Sequence, residues 1–135
     1  MIIRTADPHE LTALASFFER EFHPKNHSFL KKLSYCLARG TCYVTGADEI
    51  AGAVIFDNDF FGLERIVAIK ADSSEDYRAL LTHVRSQSPT EELFLGISSE
   101  DNPLSEAAKA LGFQFSGEIR INSQPIQVYS LPAAV

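Results

Sequence analysis

Apolar positions along the chain change their period several times, and each change marks an element. Ile2 to Ala6 reads as a short strand ended by Asp7-Pro8. Leu11, Leu14, Phe18 and Phe22 then recur every three or four residues, so residues 8–22 read as an amphipathic helix, which Pro24 breaks. Phe29, Leu33, Cys36 and Leu37 give a second helix, stopped by Gly40. The period then shortens. Residues 42–45, 51–56 and 65–71 read as an antiparallel meander, with turns at 46–49 and at Asp57-Asn58-Asp59 before Gly62. In that pattern Asp57 and Asp59 are hairpin residues, and Glu64 is either a turn residue or the first residue of the third meander strand. The unbroken Ile66-Val67-Ala68-Ile69 is what a central strand requires.

Helical spacing returns at Tyr77, Leu80, Leu81 and Val84. Residues 93–97 form a short buried strand. Asn102-Pro103 then opens a helix with an N-cap residue and a proline at its first position. Leu104, Ala107, Ala108 and Leu111 line its face, and Gly112 ends it. Phe113, Phe115, Ile119 and Ile121 alternate as in a strand, and a turn at 122–125 leads to a last strand at 126–131. The order β-α-α-β-β-β-α-β-α-β-β predicts a mixed central sheet covered by helices, of the α/β (α+β) class.

Composition narrows the function classes. The 135 residues predict a single domain over 1–135, and 45% hydrophobic with 22% charged residues excludes disorder as a description of the whole. The net charge of −6, with no basic run longer than Lys31-Lys32, argues against nucleic acid or an anionic membrane as partner. No apolar stretch reaches the length of a transmembrane helix. The first eight residues meet a charge and a proline too soon for a signal peptide. Cys36 and Cys42 form no CxxC pair, so a reduced, cytoplasmic protein is expected, although their spacing also permits a disulfide. The four histidines are scattered and predict no metal site.

The stretch Asn102 to Phe113, the opening Ile2-Ile3-Arg4-Thr5-Ala6 and the element order together resemble the GNAT superfamily of acyl-CoA-dependent N-acetyltransferases. The resemblance spans nearly the whole chain. It implies acetyl transfer from acetyl-CoA to a small-molecule or peptide amine. It also implies a pantetheine arm along the strand edge at Ile69, Lys70 and Ala71, and phosphates held near Ser73, Ser74, Tyr77 and Arg78. Asn102 is then a contact to the pantetheine arm, or simply a helix cap. Glu64 is the candidate general base.

The sequence also departs from the family. The family loop Q/R-x-x-G-x-G/A falls on Asp72, Glu75 and Tyr77, and no glycine lies between Gly62 and Gly96. Ser73-x-x-Asp76 resembles a capping box, so the amides that would hold a pyrophosphate are also explained as an ordinary helix start. Glu75 and Asp76 would repel phosphate, with Lys70, Arg78 and Lys109 as offsetting cations. The family's thiolate-protonating tyrosine is Ala108 here, which leaves Tyr43 and Tyr129 as substitutes or as packing. Two readings follow: an acetyltransferase, or a non-catalytic GNAT-fold binding or regulatory module that has lost the usual loop. Phe60-Phe61 is a further candidate for an acceptor pocket or partner surface, and a homodimer is compatible with either reading.

Overall fold

A computed structural model describes residues 2–18, 27–60, 62–87, 92–98, 102–121 and 123–133. Within the described residues seven strands form one mixed sheet. They are β1 (Ile3–Thr5), β2 (Cys42–Thr45), β3 (Gly52–Phe60), β4 (Leu63–Ala71), β5 (Leu93–Ser98), β6 (Gln114–Ile121) and β7 (Gln124–Leu131), in spatial order β1-β2-β3-β4-β5-β7-β6. Among the described residues four helices cover it: α1 (Leu11–Phe18), α2 (His27–Arg39), α3 (Ser74–Gln87) and α4 (Asn102–Ala110). Among the described residues no helix is long and apolar enough to cross a membrane.

The predicted first helix begins instead as a 3-10 turn at Pro8–Glu10, and its described part ends at Phe18, so Phe22 and Pro24 lie outside the described residues. Asp7 explains the start. Its carboxylate accepts the His9 N–H at 2.9 Å while Glu10 accepts the Asp7 N–H at 2.9 Å, a complete capping box. Glu10 is also gripped by Arg4 through two bonds of 2.6 and 2.8 Å, which joins this turn to β1. The Arg4 hydrogen bond draws the Glu10 carboxyl down to about 2. A depressed acid stabilises the fold above its unfolded value, near 4.3, and loses that contribution as pH falls through about 2. Arg4 is half exposed, so the pair is worth about 0.5–1 kcal/mol. Glu10→Gln is expected to cost that much at pH 7 in urea melts, with the difference fading as pH falls from about 4 through about 2.

The sheet separates two cores. Leu80, Leu81 and Val84 of α3 and Leu104, Ala107 and Ala108 of α4 pack on Val54, Ile66, Leu95 and Ile97. On the opposite face Leu14, Phe18, Leu33 and Cys36 of α1 and α2 pack on Val44, Ile55 and Ala68. Each large side chain so buried contributes about 1.5–3 kcal/mol. Cys36 and Cys42 are free thiols in this second core, and burial pushes the Cys42 thiol up to about 12. The α2 helix ends where Gly40 was expected to stop it. Gly40 takes φ +75°, its N–H reaches Leu37 O, and the Thr41 N–H reaches Cys36 O.

Two local readings are corrected. The meander turn does not fall at Asp57–Asp59, because β3 runs on to Phe60 and the chain reverses around Gly62, at φ +79°. The reason is long-range. The Asp57 carboxylate is buried and held by Lys32 Nζ at 2.8 Å and Arg65 Nε at 3.0 Å, which keeps a turn-forming residue within the sheet. The second correction concerns β6. A register shift between Phe115 and Gly117 interrupts the predicted alternation, so Phe115 packs on Tyr129 while Ile119, opposite Ile126, faces the other way.

Candidate functional site

The main irregularity of the sheet lies in its middle. β4 and β5 are parallel, and they pair only at Glu64–Leu93, Arg65–Phe94 and Ile66–Leu95. Beyond Ile66, β4 continues to Ala71 beside β3 alone, while β5 continues to Ser98 beside β7 alone. The two strands therefore diverge and leave a wedge with an unpaired edge on each side. A strand edge of this kind offers rows of N–H and C=O groups to an extended guest.

A bulge marks the apex of the wedge. The β3–β4 register passes from Phe56–Ile66 to Ile55–Ala68 and skips Val67. Side-chain direction confirms the extra residue: Ile66 and Ile69 enter the α3/α4 core, whereas Val67 and Ala68 both face α1 and α2. Val67 thus has a register partner on neither neighbouring strand. The uninterrupted apolar run hid this position in the sequence, because parity cannot be read where every residue is apolar.

Because β4 and β5 are parallel, the helices that follow them both begin at the open end of the wedge. α3 starts at Ser74 and α4 at Asn102, and the two helices pack together through Leu80, Leu81, Leu104 and Ala107. Their positive dipole ends face the same side. Ser73 caps α3, its hydroxyl accepting the Asp76 N–H at 3.1 Å. The capping hydroxyl accounts for one early amide of α3, and the N–H groups of Ser74 and Glu75 remain directed out of the helix.

The residues singled out from the sequence fall into three groups. Ile69, Lys70 and Ala71 form the unpaired β4 edge, and Ser73, Ser74 and Arg78 stand at or just beyond the start of α3. Their side chains go elsewhere in part. Ile69 is buried in the α3/α4 core, and Lys70 extends to the opposite face, its Nζ 5.5 Å from the Phe17 ring centre. Tyr77 is a core side chain, 3% exposed. Asn102 begins α4; its side chain is outside the described residues, as is Phe61. Glu64 is neither a turn residue nor a surface acid. It lies within β4, 7% exposed, and borders a cleft with Phe56, Asp57, Tyr35 and Arg39.

The two tyrosines differ. Tyr43 stacks on Phe56 at 5.4 Å and meets the His83 ring edge-on at 4.4 Å. Burial first, then the nearby Glu64 charge, raises its hydroxyl above the usual phenol value. Tyr129 lies across β5 from the wedge apex, opposite Leu95, and its hydroxyl donates to Gln127 at 3.3 Å, toward the diverging part of β5. It shares the α3/α4 core with Ala108, the small residue at the position where the family has tyrosine.

Comparison with known proteins bears on the fold. No family model and no curated protein matches the sequence. Solved structures do match. A GNAT-family acetyltransferase from Bacillus cereus superposes with a TM-score of 0.81 at 18% identity, covering 99% of this chain and 98% of its own. A Salmonella typhimurium protein described as an acetyltransferase, solved with its cofactor acetyl-CoA, gives 0.77 at 14% identity, covering 98% and 93%. The Escherichia coli N-acetyltransferase of a ribosomal-protein alanine gives 0.75 at 18% identity, covering 99% and 94%. The chain has the GNAT fold.

Proposed function

We propose that the protein is an acetyl-CoA-dependent N-acetyltransferase. The observation that carries this reading is the wedge between β4 and β5 with the Val67 bulge at its apex. The residues fit the group at one end and are spare at the other. A pantetheine arm has amides that match the unpaired edge at Ile69, Lys70 and Ala71. The phosphate end would rest on the early amides of α3 at Ser74 and Glu75, with Arg78 nearby and the carboxylates of Glu75 and Asp76 opposing it. When bound, acetyl-CoA supplies an activated acetyl group. The Val67 amide, at the apex of the wedge, would favour the charge that gathers on the thioester oxygen. Glu64 accepts the proton of the acceptor ammonium, directly or through one water.

Tyr129 is the group to protonate the departing thiolate, on the face vacated by Ala108. Tyr129→Phe is expected to lower kcat about tenfold to a hundredfold with the acetyl-CoA affinity kept, because general acid assistance helps a good leaving group only moderately. Equal kcat values in the two proteins would return Tyr129 to a packing role.

The proposal is tested by isothermal titration with acetyl-CoA and with CoA, where saturable binding at micromolar to submillimolar concentration is expected. The second reading, a non-catalytic module of the same fold, is favoured by one observation: the Ser73 hydroxyl already answers an early amide of α3, in a loop without glycine. Absence of heat with either compound at hundreds of micromolar would select it.

A further inference from the structure

We propose that the outer edge of β6 pairs with the same strand of a second copy of this chain, antiparallel and centred on Ile119, so that the two sheets join into one. The two ends of the sheet differ. β1, at one end, is three residues long, whereas β6, at the other, runs for eight residues and pairs only with β7 among the described residues. Long strand edges are commonly blunted by proline or lysine. β6 carries neither, and it leaves Phe115 59% and Ile119 44% exposed. β7 separates it from the wedge between β4 and β5, so the inference stands apart from the acetyl-transfer reading.

Symmetry and the bulge select the register. Two copies of one strand that continue a sheet antiparallel are related by a two-fold axis, and residues opposite each other point to the same face. The axis therefore passes through a residue rather than between two. The register shift between Phe115 and Gly117 bounds the regular part of β6 to residues 117–121, and Ile119 is the centre of that segment. In this register Gly117 faces the partner's Ile121, Glu118 faces the partner's Arg120, and Ile119 faces the partner's Ile119. The edge is uncrowded at Gly117, where an added Cβ would meet nothing within 4 Å.

Charge makes the strand complementary to itself. Glu118 and Arg120 are both exposed and share one face of β6, with Ile119 on the other. Their neighbours across the ladder in β7 are Gln127 and Pro125, which carry no charge. Neither Glu118 nor Arg120 forms an ion pair among the described residues. Pairing centred on Glu118 would set two carboxylates face to face, and pairing centred on Arg120 two guanidinium groups. Pairing centred on Ile119 sets Glu118 opposite Arg120 twice over and brings the two Ile119 side chains together on the other face. Cross-strand pairs of both kinds stabilise an antiparallel ladder.

The test exchanges charges between copies. A single strand edge makes a small interface, so sedimentation equilibrium is expected to show a dimer that forms at roughly 0.1 mM. Glu118→Arg alone places like charges opposite each other at both pairs, and so does Arg120→Glu alone. Each is expected to weaken the dimer about tenfold or more. Mixed together, the two variants are expected to dimerise with each other about as tightly as the parent, because both pairs are again of opposite sign. Ile119→Cys reads the register directly. Residues opposite each other in an antiparallel pair have Cα atoms about 4.5–5.5 Å apart, within reach of a disulfide, so this variant is expected to form a covalent dimer with oxidised glutathione. The two native cysteines are buried. A parent that stays monomeric at millimolar concentration, single variants that dimerise as tightly as the parent, a mixture no tighter than either variant alone, or an Ile119→Cys protein that stays unlinked would each overturn the proposal.

Discussion

Val67→Pro is expected to reduce kcat by about a hundredfold to a thousandfold while leaving the fold and the acetyl-CoA affinity close to those of the parent. Proline is poorly tolerated inside a ladder but is accepted at bulges and edges, where no partner awaits its missing N–H. Val67 is both: the β3 register skips it, and β5 has already left β4 one residue earlier. The substitution therefore removes one amide at the apex of the wedge. If that amide faces the thioester oxygen as charge develops, the loss appears in turnover rather than in binding, the signature of an interaction made chiefly in the transition state. Unchanged turnover in a folded Val67→Pro protein would remove the amide from the mechanism.

Asp57→Ala is expected to cost about 3 kcal/mol of stability, read as a fall in the urea midpoint without a change in slope. The Asp57 side chain is 3% exposed and holds Lys32 from α2 and Arg65 from β4 at once. Burial by itself would raise its carboxyl, yet the bonds from Arg65 and Lys32 outweigh burial and hold it below the usual carboxylate range. The contribution is therefore present above the unfolded carboxylate value and fades as pH falls through the lower folded one. Removing the acid leaves Lys32 with Asp59 alone, at 2.8 Å on the exposed side, and Arg65 without its bonded carboxylate. A loss below about 1 kcal/mol would show that the network contributes no more than a surface ion pair.

Most elements were legible because each buries one face, and burial writes its period into the sequence. The 3.6-residue spacing of Tyr77, Leu80, Leu81 and Val84 and the glycine at 40 are local signals, and both held. The misreadings share a cause. Asp57-Asn58-Asp59 has the composition of a turn, and only Lys32 and Arg65, distant in sequence, keep Asp57 in a strand. The bulge at Val67 was invisible for the opposite reason: an all-apolar run carries no parity. In β6 the alternation was visible, but a single inserted residue moved Ile119 to the other face. The open β4 edge at Ile69, Lys70 and Ala71 was expected only through the family resemblance, because no residue pattern marks where two parallel strands part. The glycine-free loop stayed readable throughout: Ser73 caps α3 as its spacing from Asp76 predicts.

The most direct measurement follows the backbone amides of the labelled protein during titration with acetyl-CoA. The account predicts saturable shifts along both edges of the wedge, Val67 to Ala71 on β4 and Gly96 to Ser98 on β5, extending to Ser74 and Glu75 at the start of α3. No shifts at millimolar acetyl-CoA, or shifts that leave both strand edges untouched, would contradict it.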